Sequence, residues 1–93
     1  LSADDTRLKR LRFRAWRRGF READLILGQF ADAHARDLSA EDLARFEVLL
    51  DQPDHELYAW IMGAAAIPPA FDHELMTRLR AFDPSLAVQA GAG

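Results

Sequence analysis

Ser39-Ala40-Glu41-Asp42-Leu43-Ala44-Arg45-Phe46-Glu47-Val48-Leu49-Leu50 is the stretch whose reading decides the fold class. A serine followed three residues later by an acid has the form of a capping box, with Asp42 where Glu or Gln is usual. Leu43, Phe46, Leu49 and Leu50 then recur at helical spacing, so a helix is predicted from Ser39 onward. Asp51-Gln52-Pro53-Asp54 breaks the pattern.

Toward the C-terminus, Pro53 suits the first turn of another helix. That helix carries Leu57, Trp60 and Ile61, and Gly63 is placed to end it. Pro68 and Pro69 punctuate the chain. A further helix is predicted from about Ala70 to Phe82, with Phe71, Leu75, Leu79 and Phe82 on one side and Pro84 as its stop. Residues 85–93, rich in Ala and Gly, read as a frayed or disordered tail.

Toward the N-terminus, a helix is expected from about Phe20 to Ala35, with Ala23, Ile26, Leu27 and Phe30 inward. Gly28 sits in its interior, where glycine costs about 1 kcal/mol relative to alanine. A close helix–helix approach is the usual structural reason. The first helix is expected from about Thr6 to Arg18. Leu8, Leu11 and Ala15 supply its apolar side, Phe13 and Trp16 are further candidates, and Gly19 is a stop or corner. With no convincing strand alternation and no internal repeat, the chain reads as all-α. A single five-helix bundle is expected over residues 1–84, with Leu43, Phe46, Leu50, Leu75 and Leu79 buried.

Composition excludes several chemistries. For a chain of 93 residues one domain is the default expectation, and without cysteine it has no disulfide framework, iron–sulfur cluster or thiol nucleophile. His34, His55 and His73 are far apart, so no zinc site is expected and they read as surface or cap residues. No phosphate-cradling glycine loop or nucleophile elbow is present, so no cofactor is expected on this chain. No stretch approaches the ~20 apolar residues of a spanning helix, and no signal or transit peptide is visible. The expected setting is the bacterial cytoplasm, or the mitochondrial matrix for a eukaryotic chain. The first residue is Leu1 rather than Met, which leaves a cleaved segment open.

The charge is uneven. Residues 1–21 hold eight bases and two acids, a net of +6, while the remainder holds four bases and thirteen acids, a net of −9. The basic run from Arg7 to Arg21 resembles a phosphate-binding stripe. The acidic chain as a whole and the lack of a reader motif favour a solvated arginine face instead.

The densest constellation is Arg17-Arg18-Gly19-Phe20-Arg21-Glu22-Ala23-Asp24. It sets arginines, a glycine that permits a tight corner or close approach, and two carboxylates at one junction. Arg18 and Glu22 are four apart and would pair if the helix ran through Gly19. The bland alternative is a solvated helix end whose surface pairs are each worth about 0–1 kcal/mol. Trp60 reads as core. Tyr58 is open between core and interface, where tyrosine is a favoured anchor.

Arg18-Gly19-Phe20-Arg21-Glu22 matches the RGxxE signature, and the chain resembles the succinate dehydrogenase assembly factors, or flavinylation factors. Trp16-Arg17, Asp24, the run Leu49-Leu50-Asp51 through Pro53-Asp54 to Leu57-Tyr58-Ala59-Trp60-Ile61-Met62, and the segment from Pro69 to Leu79 extend the likeness over about residues 7–82. The resemblance implies a five-helix bundle that binds the flavoprotein subunit of succinate dehydrogenase, with its fumarate reductase relative as a further candidate client. It implies covalent attachment of FAD to a histidine of that client, with FAD belonging to the client and no catalysis by this chain.

On that footing the expected partner-binding residues are Arg17, Arg18, Gly19, Arg21, Glu22, Asp24 and Tyr58. A side chain added at Gly19 is expected to block a partner sooner than disturb the fold. No nucleic acid, metal or membrane insertion is expected, and a monomer is favoured. The competing classes are a small nucleic-acid-binding bundle using the first helix and a generic or toxin–antitoxin-type interaction module.

Overall fold

The computed structural model describes residues 3–83, with side chains from residue 5. The expected tail at 85–93 and the expected stop at Pro84 lie outside these residues. Five α-helices follow in chain order: α1 (Ala3–Ala15), α2 (Arg21–His34), α3 (Ala40–Leu50), α4 (Asp54–Met62) and α5 (Glu74–Ala81). Short 3-10 turns at Ala35–Asp37 and Pro69–Phe71 complete the described structure, and no strand occurs among these residues. The fold is the all-α bundle that the periodicity predicts.

Local chemistry sets most helix ends. The Asp42 amide donates to Ser39 Oγ at 3.1 Å, so the serine caps α3. Asp42's own carboxylate turns instead to Arg45, 3.1 Å away. Pro53 precedes α4, and Gly63 ends it with φ +76°, the left-handed geometry that favours glycine.

Three boundaries differ from expectation, the first being the start of α1 at Ala3, three residues before Thr6. α1 ends at Ala15, three residues early, because the Arg18 amide donates to the Asp24 carboxylate at 2.6 Å and leaves the helical ladder. α5 begins at Glu74 rather than Ala70. His73 is extended and its Nδ1 accepts the Met76 amide at 3.3 Å, a cap that the reading of the segment as one long helix overlooked. The preceding 3-10 turn is held by Phe71 stacked on Trp60, with centroids 5.2 Å apart.

The core is built from all five helices. Leu43, Phe46 and Leu50 of α3 and Leu75 and Leu79 of α5 are all buried, as the periodicity requires. Ala23, Ile26, Leu27 and Phe30 of α2 are buried too. Phe30 is central, meeting Phe46 and Phe82 edge to face at 5.7 and 5.5 Å. Trp60 is buried beside Leu57 and Ile61. Phe13 is the exception among the apolar candidates, for its ring is 59% exposed and stands outward on α1.

α1 packs chiefly against α2, and the contact explains Gly28. A methyl added there would lie 2.2 Å from an indole carbon of Trp16. The indole therefore lies directly on the α2 backbone, and its Nε1 donates to Asp32 at 3.1 Å. This is the close approach that the interior glycine anticipated. Two ion pairs join α1 to α3. Arg7 donates through two nitrogens to Glu47, at 3.0 and 2.6 Å, and Arg14 pairs with Asp51. The Arg7 bond holds the Glu47 carboxyl below its ordinary value, against a smaller opposing effect of burial.

Candidate functional site

The corner between α1 and α2 is organised from within by Arg18. Its guanidinium donates to the carbonyls of Leu50 and, at 2.7 Å, Gln52, and pairs with Asp54 at 2.8 Å. The side chain is 7% exposed. One fork thus ties the corner to the end of α3, the connecting turn and the start of α4. The carbonyls at a helix C-terminus have no intrahelical partner, and the arginine fork satisfies Leu50's while its charge complements that end of α3.

This placement changes two expectations. Arg18 does not pair with Glu22, because the helix does not run through Gly19; its carboxylate partner is Asp54. Nor does Arg18 offer its guanidinium to a partner, since the side chain is enclosed by its own chain. It braces the corner that the other residues present.

Gly19 has φ +104°, and an added Cβ would lie 2.9 Å from Asp54 Oδ2. Any larger residue there is strained in its backbone and crowds the carboxylate that Arg18 holds. The expectation that a side chain at Gly19 would stand clear of the fold is therefore corrected.

Asp24 is half-buried, and its carboxylate accepts the Arg18 amide. Phe20 offers no side-chain cap to α2, so the residue one turn in latches the loop instead. Phe20 is itself half-buried and stacks on His55, with centroids 4.6 Å apart and planes 6° from parallel. Tyr58 meets the same ring edge-on at 5.1 Å.

What faces solvent is Arg17, Gly19, Arg21 and Glu22. Arg17 lies over the Phe13 ring at 4.2 Å. Arg21 and Glu22 make no hydrogen bond or ion pair among the described residues. Glu22 and Arg21 fall in the first turn of α2, where the carboxylate is favoured by the helix dipole. The outcome is a rigid corner that displays an uncommitted acid–base pair beside a patch of Phe20, His55 and Tyr58.

Six of the seven residues expected at the site, all but Tyr58, fall within this one corner and the first turn of α2. Tyr58 joins them from α4 through Phe20. Asp54, Phe20 and His55 were not singled out as site residues. A signal for His55 was available, since it lies three residues before Tyr58 and so on the same helix face. Asp54 carried no local signal, because its partner lies 36 positions earlier in the chain. Among the described residues, no group of three or more His, Asp and Glu side chains is arranged to hold a metal. No described helix is long and apolar enough to cross a membrane.

Residues 9–83 match a family described as flavinator of succinate dehydrogenase. The chain is 42% identical over 62 residues to the FAD assembly factor SdhE of Acetobacter pasteurianus, covering 67% of this chain and 57% of that protein. It is 35% identical over 68 residues to succinate dehydrogenase assembly factor 2 of Dictyostelium discoideum, a mitochondrial protein, covering 73% and 48%. To the mitochondrial assembly factor 2-B of Drosophila melanogaster it is 33% identical over 78 residues, covering 82% and 50%. The chain spans about half the length of these relatives. With the family match running from α1 through α5 and taking in the whole Arg18-to-Glu22 corner, the chain belongs to the succinate dehydrogenase flavinator family.

Proposed function

We propose that this chain binds the flavoprotein subunit of succinate dehydrogenase and promotes its covalent attachment to FAD, with the chemistry performed by the client. The observation that carries the reading is the corner itself. Arg21 and Glu22 are exposed and uncommitted, on a backbone that buried Arg18 and half-buried Asp24 hold rigid. A backbone already braced loses little freedom on binding, and only the Arg21 and Glu22 side chains remain to be ordered, so such a corner suits recognition of a partner. By binding one conformation of the client more tightly than others, the bundle would raise the population in which flavin attachment proceeds.

FAD is assigned to the client. The fumarate reductase flavoprotein is a second candidate client by the same chemistry. The relatives from Dictyostelium discoideum and Drosophila melanogaster are named as mitochondrial proteins. For this chain we assign the work to the compartment where the client is assembled, the cytoplasm or the matrix.

The test is in-gel flavin fluorescence of the denatured client subunit, produced with wild-type chain, with Glu22→Ala, and with neither. Glu22 is exposed, so its loss should change stability by about 0.5 kcal/mol or less. In a desolvated interface it should cost about 2–5 kcal/mol of binding. Flavinylation equal with and without the wild-type chain refutes the function. Full flavinylation with Glu22→Ala refutes the corner as its working surface.

A further inference from the structure

The arginines on the inner flank of α1 are already committed to acids of a neighbouring helix. Arg7 takes Glu47 and Arg14 takes Asp51, two carboxylates four residues apart, in α3 and at its C-cap. α1 is therefore packed beside an acidic helix in its own fold. Its outward face offers related chemistry with no ion pair of its own, although Arg10 still acts through space on Glu47. Lys9, Arg10 and Arg17 are exposed and make no ion pair among the described residues.

Phe13 stands among them, four residues after Lys9 and three after Arg10 and so on the same face of α1, while Arg17, beyond the end of α1, reaches its ring. It is the most exposed large apolar side chain described. Arg17 lies over its ring, with the guanidinium carbon 4.2 Å from the centroid. From Lys9 to the end of α1 at Ala15 the strip is about 9 Å long, and Arg17 extends it past the helix end.

We propose that this outward strip of α1 docks an acidic helical segment of a protein partner, with carboxylates at helical spacing on Lys9, Arg10 and Arg17 and one apolar side chain on Phe13. The proposal rests on the functional reading above only in naming the client flavoprotein as the protein that carries the segment.

A narrow acidic segment fits better than a broad polyanion. Arg14 and Trp16, two residues apart and so on opposite flanks, hold the exposed carboxylates of Asp51 and Asp32. A membrane or duplex lying across the strip would press its phosphates toward these acids. A single helix would lie between them. The strip also runs into the Gly19 corner through Arg17, so one partner can engage both.

Two arms test this with the full chain. In the first, a fluorescein-labelled acidic helical peptide, with glutamates at i, i+4 spacing around one leucine, is titrated by fluorescence anisotropy. Binding should be salt-sensitive and weakened about tenfold or more by Lys9→Glu with Arg10→Glu, and several-fold by Phe13→Ser. These side chains are exposed, and unchanged thermal unfolding shows that the variants fold. No binding by the wild type, or equal binding by the double variant, overturns the strip. Tighter binding of phosphatidylglycerol vesicles or duplex DNA than of the peptide, lost in the same variants, overturns the acidic protein segment as occupant.

In the second arm, the double variant is tested against the client subunit. About tenfold weaker capture supports the client as the carrier, and undiminished capture overturns it. Failure of the wild-type chain to raise flavinylation would sink the functional reading instead, and the peptide titration would still decide the strip.

Discussion

Replacing Arg18 with alanine should damage this protein more than any exposed substitution in the same motif. The change removes two hydrogen bonds to backbone carbonyls and an ion pair, all from one enclosed side chain. Hydrogen bonds from a charged donor are each worth about 1.5–3 kcal/mol. The Leu50 carbonyl is left buried and without the donor that served it. Asp54 is 38% exposed and stays partly hydrated, so its share is discounted. The expected loss is about 3–4 kcal/mol, near the range for breaking a buried pair by removing one partner. For a domain of this size, that lowers Tm by about 12–30 °C. Arg18→Lys should lose less, because a charge remains but the planar fork that reaches two carbonyls does not. Thermal and urea unfolding followed by circular dichroism measure both variants. A loss below about 1 kcal/mol for Arg18→Ala would refute the brace and return Arg18 to the surface role that its place in the motif suggested.

Three further outcomes are expected. Gly28→Ala should cost about 2–3 kcal/mol by overpacking and should shift the emission of Trp16, since the methyl would occupy the space of the indole; unchanged stability and fluorescence would contradict the contact. Gly19→Ala should cost about 1–2 kcal/mol from the left-handed backbone alone, with more if Asp54 is displaced, and equilibrium unfolding reads it. Burial, then the nearby Arg45, depresses His73, and its neutral Nδ1 caps α5. Since the folded group protonates less readily than the unfolded one, its contribution is complete above the ordinary value of 6.5 and is lost as pH falls below it toward the depressed value. His73→Asn, which can cap without titrating, should flatten the stability–pH curve in that window, and an unchanged slope would remove His73 as its source.

Much of the bundle was legible because local chemistry sets it. Ser39 caps α3 through an amide three residues away, and Gly63 ends α4 through its own φ, so both signals lie within a few residues. The buried faces of α2, α3 and α5 follow from spacing alone, since residues three and four apart share a helix face. Gly28 announced a close approach, though not that the approaching group would be Trp16. The motif at Arg18-Gly19-Phe20-Arg21-Glu22 was equally visible as a string.

Tertiary structure alone decided what each letter of that string does. Arg18 and Arg21 are the same residue type three positions apart, yet one is enclosed and the other faces water. The difference arises because the α3–α4 connection, some 32 to 36 residues later, brings two carbonyls and a carboxylate to Arg18 and none to Arg21. Phe13 posed the same problem on α1. Its spacing alone did not fix which flank faced the core until α2 and α3 packed against Leu11 and Ala15. Periodicity records which residues lie together on one helix, whereas burial and charge pairing depend on which distant segment arrives to cover them. That arrival is a property of the assembled bundle.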